Sequence, residues 1–89
     1  MPEVSRFYGI VITMYPEAGE RHNMPHFHVR YAEYRATVAI ATGDLLAGTL
    51  PKSQLRLVQA WVELHQGELE TVWAALVTGR PAHKIAPLS

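Results

Sequence analysis

The chain contains no cysteine. Disulfides and thiolate-liganded metal sites are therefore excluded, and the composition suits a reducing compartment. Neither sign of charge predominates, because eight Lys and Arg balance eight Asp and Glu. A protein that coats nucleic acid through bulk charge is thereby excluded, and any polyanion-binding role needs a local cluster. No apolar run approaches the roughly 18 residues that mark a membrane-spanning helix. The start of the chain lacks a basic stretch followed by an apolar one, which argues against secretion. Gly-rich phosphate loops, nucleophile elbows, dinucleotide fingerprints, internal repeats and low-complexity tracts are also missing. These absences predict a cytoplasmic globular protein with no membrane partner.

What is present fits one compact unit. Eighty-nine residues, 48% of them hydrophobic, suffice for a single domain spanning 1–89. A chain of this length buries roughly 60–65% of its unfolded surface. It is stable by only ~5–10 kcal/mol, too little to tolerate an unpaired buried charge.

Residues 6–15 (RFYGIVITMY) are β-branched and aromatic, apolar on both faces and bounded by Pro16. They read as one interior strand with a bulge or close approach at Gly9. A polar loop from Pro16 to Pro25 follows, long for a hairpin connection. Strands are predicted at 26–32 and 34–41 around a tight turn at Ala32-Glu33, with a short fourth at 45–49. Pro51 fits the first position of a helical region over 51–78. Its stripe of Leu55, Val58, Val62, Leu69, Val72, Trp73 and Leu76 recurs at three- and four-residue steps. Gly67 interrupts the stretch, so one long helix and a kinked pair both fit. Gly79 and Pro81 stop it. The tail, 80–89, adds a short edge strand or lies loosely. The fold class is thus α+β: a small antiparallel sheet of three to five strands with a C-terminal helix or kinked helix pair on one face.

The richest stretch is Pro25–Arg35 (PHFHVRYAEYR). With period 2, His26, His28 and Arg30 share one face, while Phe27, Val29 and Tyr31 share the other. A two-residue Ala32-Glu33 loop sets Tyr31 opposite Tyr34, Arg30 opposite Arg35, Val29 opposite Ala36, His28 opposite Thr37 and Phe27 opposite Val38. The apolar face then packs on the helices. His26, His28, Arg30, Arg35 and Thr37 form an open face. Like charges set directly opposite are destabilising, so the arginine pair suggests an anion site. The plainer reading is that Glu33, Glu17 or Glu20 neutralises it, or that both arginines splay into water.

Two other chemistries share these residues. His26 and His28, with Cα atoms about 6.7 Å apart, can approach one Zn²⁺. His22 would complete a three-nitrogen set and Glu20 an oxygen ligand. Zinc is the weaker reading, since the arginines oppose a dication, and no cofactor is favoured. Alternatively, His26 or His28 beside arginines provides acid–base catalysis of metal-independent RNA cleavage. His65 reads as a boundary histidine on the helical stripe and His83 as solvated. Trp61 and Trp73 read as core anchors, and Glu63, Glu68 and Glu70 as a solvated helix face.

The blocks MPEVSRFYGIVITMY, PHFHVRYAEY, LPKSQLRLVQAWVELHQGELETVW and KIAPL resemble, in order and over nearly the whole chain, the bacterial family of domain of unknown function 4160. The family's PHFHV block maps onto Pro25, His26, Phe27, His28 and Val29. Gly67 departs from the charged helix former expected there, which weakens the case for an unbroken helix. Members often lie beside a gene for a small protein of domain of unknown function 2442, and some carry transcriptional-regulator labels. The resemblance therefore implies an interaction module of a toxin–antitoxin-type or regulatory two-gene cassette. Its partners would be the adjacent gene's product, RNA or DNA. A homodimer through sheet edges or the tryptophan-bearing helix is a further expectation.

Overall fold

The structure, a computed structural model, describes residues 3–15 and 24–89. Five strands, β1 (Glu3–Phe7), β2 (Ile10–Thr13), β3 (His26–Tyr31), β4 (Tyr34–Ala39) and β5 (Leu45–Gly48), precede two helices, α1 (Lys52–Leu64) and α2 (Gln66–Val77). The strands form one antiparallel sheet in the order β1-β2-β3-β4-β5. The fold is α+β, an open sheet with two C-terminal helices.

The single strand expected over 6–15 is in fact a hairpin. Tyr8 and Gly9 both adopt left-handed φ, 50° and 78°. Positive φ at both central residues is the signature of a type I′ turn, whose twist matches that of the flanking strands. Gly9 is therefore the second turn residue, not a bulge. The double-sided apolar character of this stretch has a simple origin. Phe7, Ile10, Ile12 and Met14 enter the core, while Val11, on the other face, is still only 8% exposed.

One side of the sheet meets the helices. Ile10, Ile12, Phe27, Val29, Ala36 and Val38 close on Val58, Trp61, Val62, Leu69 and Val72. Trp61 is the centre of this core, with its ring 5.5 Å from Phe7 and 5.8 Å from Phe27 between centroids. Its indole N–H donates to the Ala86 carbonyl at 2.9 Å, so the one polar atom of a fully buried ring is satisfied.

The same bond anchors the tail. Residues 80–89 form no strand; Ile85 instead donates its N–H to the Val4 carbonyl at 2.9 Å and buries its side chain. The free edge of β1 is partly covered in this way, and a bulge between Glu3 and Ser5 disrupts it further.

The helical region divides in two, and the division lies at His65 rather than Gly67. His65 adopts φ −124°, ψ 26° and serves as both the C-terminal cap of α1 and the N-terminal cap of α2. Its N–H is shared between the Trp61 and Val62 carbonyls, and its own carbonyl receives the Leu69 N–H. Its ring Nδ1–H donates to Glu68 Oε1 at 2.9 Å. Gly67 lies inside α2 with open space where a Cβ would go. Pro51 precedes the helix as its cap, with ψ 147°, instead of occupying its first turn. Its carbonyl accepts the Leu55 N–H at 2.9 Å.

Candidate anion-binding sheet face

The register of β3 and β4 decides what the open face carries. The Ala32-Glu33 turn, with Ala32 at φ 51°, pairs Tyr31 with Tyr34, Arg30 with Arg35, Val29 with Ala36, His28 with Thr37 and Phe27 with Val38. On the other side of β3, Val11 pairs with Arg30 and Thr13 with His28. Side chains on one face are thus ordered in rows across the strands. One row runs Arg6, Val11, Arg30, Arg35, and the next Glu3, Thr13, His28, Thr37, Ala47.

A depression of about 500 Å³ lies over these rows, bounded by Glu3 at one side and Gly48 at the other. Its floor is shallow because Val11, Thr13, Thr37 and Ala47 are short. Arg30 and Arg35 border it, and both are exposed.

The charges are unevenly balanced. Glu3 is the one carboxylate lining the depression among the described residues, and it is already engaged. Arg6 Nη2 donates to Glu3 Oε1 at 2.8 Å and Arg6 Nε to Oε2 at 3.2 Å. Hydrogen bonding from Arg6 holds the Glu3 carboxyl below its ordinary range, against the opposing effect of desolvation. The charges of Arg6, Lys84 and Arg30 act in the same direction as the hydrogen bond. The shift is downward, so this pair is fully present above the ordinary carboxylate range and is lost only as pH falls below that range, through the lowered value. Among the described residues no ion pair reaches Arg30 or Arg35. Glu17 and Glu20, considered above as neutralising groups, lie outside the described residues, as does His22.

The two histidines are not equivalent. His28 is half-buried, with its Nδ1 3.5 Å from Thr37 Oγ1. His26 is only 6% exposed. Its Nδ1 lies 2.8 Å from the Met24 carbonyl, which can only accept, so this nitrogen carries the proton. The expectation that the whole His/Arg face stands open therefore needs correcting at its His26 end. The Trp73 ring, carried by α2, lies against His26 with centroids 5.1 Å apart.

Sequence reasoning missed two aromatic members of this region. Tyr15 stacks on His28 with centroids 4.5 Å apart and planes 9° from parallel. His28 meets His26 edge-on at 5.3 Å, and His26 meets Trp73, giving a continuous row of four rings. Trp73, read as a core anchor, is half-buried at the end of that row. The signal for Tyr15 was available: it stands two residues beyond Thr13, on the face that β2 presents beside His28.

Among the described residues no three His, Asp, Glu or Cys side chains converge as a metal site would require. Nor is any helix there long and apolar enough to cross a membrane. Residues 9–74 match a family model described as a domain of unknown function, DUF4160. No curated protein and no solved structure matches the chain.

Proposed function

Starting from the premise that the chain belongs to the DUF4160 family, we propose that it is a nucleic-acid-binding interaction module of a bacterial two-gene cassette. The open sheet face is the binding surface. One observation carries this reading: Arg30 stands directly opposite Arg35, both exposed, with no ion-pair partner among the described residues. Opposed like charges on neighbouring strands weaken a sheet. Their presence beside a depression whose carboxylate is already paired is accounted for by an anionic ligand. Two guanidinium forks suit phosphate oxygens, which they can meet with paired, charge-assisted hydrogen bonds.

Binding is favoured over RNA cleavage by the state of His26. Of the two histidines that could serve as acid or base, His26 is buried against Trp73, and the Nε2 of His28 is itself buried. In this reading His28, Thr37 and Tyr15 shape the site, and the phosphate contacts fall to the arginines. A toxin–antitoxin or regulatory setting in the cytoplasm, with the neighbouring gene's product as second partner, accords with this role.

The test is the salt dependence of oligonucleotide affinity. Each neutralised phosphate of a single strand contributes a slope of about −0.7 to log K against log salt concentration. Two arginine contacts therefore give a slope of about −1.4 or steeper. Absence of binding, or an affinity indifferent to salt, overturns the proposal.

A further inference from the structure

Resting on the nucleic-acid reading, we infer that the ligand of this face is single-stranded. One phosphate sits at Arg30 and Arg35, and a neighbouring base lies against the ring pair Tyr15 and His28.

The first ground is width. Arg30 and Arg35 lie on β3 and β4, interior strands of a five-stranded sheet. Four inter-strand gaps make such a sheet roughly 19 Å across. The major groove of a B-form duplex is about 12 Å wide and admits a helix or a two-stranded ribbon. A-form RNA closes its major groove further and offers only a shallow minor groove. Base edges in the major groove of either duplex are consequently out of reach for this pair. A single strand laid on the surface has no such restriction.

The second ground is what surrounds the arginines. Arg30 and His28 occupy the same face two residues apart on β3, about 7 Å along the strand. That is the scale of the step from a phosphate to a nearby base. The aromatic element at the far end is planar and polar-edged: Tyr15 and His28 are stacked within 9° of parallel, and both line the depression. Between the two ends the floor consists of Val11, Thr13 and Thr37, short enough to leave room for a flat ring. A cationic end and an aromatic end joined by a shallow floor form the pattern by which sheet surfaces hold unpaired bases. A duplex hides its base faces and could use only the cationic end.

Fluorescence anisotropy with three labelled probes tests the inference: a single-stranded octanucleotide, the same sequence as a duplex, and the same backbone with abasic sites. The single strand is expected to bind at least tenfold more tightly than either of the others. Tyr15→Leu should reduce binding of the octanucleotide several-fold, leave the abasic probe unaffected and preserve the salt slope. Tyr15→Phe, which keeps the ring, should restore binding and guards against a folding defect. Equal affinity for duplex or for abasic backbone, with salt dependence retained, overturns this inference and leaves the parent proposal standing. No binding to any probe overturns both.

Discussion

Replacing Arg30 and Arg35 together with alanine should weaken single-stranded oligonucleotide binding roughly 150-fold or more, since each charge-assisted hydrogen bond contributes about 1.5–3 kcal/mol. The salt slope should fall by about 1.4 at the same time. Folding stability should move the other way. The two guanidinium groups face each other across β3 and β4 with no ion pair among the described residues. Removing that repulsion should raise stability by a few tenths of a kcal/mol. Anisotropy titrations and urea unfolding on the same variant read both effects. Unchanged affinity together with lowered stability would mean that the pair is structural, held by interactions within the fold.

Gly48→Ala should be the most damaging small substitution in the sheet. Gly48 has φ 77°, and a Cβ there would lie 2.1 Å from the Arg35 carbonyl oxygen and 2.8 Å from the Ala36 Cα. Both neighbours are backbone, so neither can turn aside as a flexible side chain would. The left-handed conformation alone costs about 1–2 kcal/mol for a residue with a Cβ. Relieving the overlap requires β5 to move away from β4, which would break the Thr49 N–H bond to the Arg35 carbonyl at 3.0 Å. The combined loss is roughly 3 kcal/mol or more, against a total of ~5–10 kcal/mol for a domain this small. A urea midpoint shifted downward by a third or more of its value is the expected reading. A midpoint within experimental scatter of the parent would show that β5 is free to shift.

Gly48 also explains what the sequence could and could not convey. Leu45 to Thr49 suggested a short strand, but nothing in those residues announces that β5 bulges against Thr37 and Val38 or runs against the Arg35 backbone. Close backbone approach depends on residues far apart in the chain. The Tyr8-Gly9 turn was missed for a related reason. A type I′ turn usually carries Asn-Gly or Asp-Gly, and Tyr8 supplies no such cue within a continuously apolar run.

By contrast, the pairing of β3 with β4 was readable residue by residue. A two-residue turn leaves one register, and alternation then fixes every face. The helix pair was half legible. The apolar stripe keeps its phase from Leu55 to Leu76, whereas the break depends on how His65 shares its N–H and caps α2, a tertiary choice that periodicity does not encode. The candidate site divides along the same line. Arg30, Arg35, His28 and Thr37 followed from strand alternation. The burial of His26 did not, because it depends on Trp73 arriving from α2, and the Tyr15 stack depends on how β2 lies beside β3.

The most direct measurement is a nuclear magnetic resonance titration of isotope-labelled protein with a single-stranded octanucleotide, following backbone amides and arginine Nε–H groups together. Binding on the open sheet face predicts the largest shifts at the Arg30 and Arg35 side chains and along β3 and β4, with α1 left almost unmoved. Shifts concentrated on α1 and α2, with both arginine signals stationary, would contradict it.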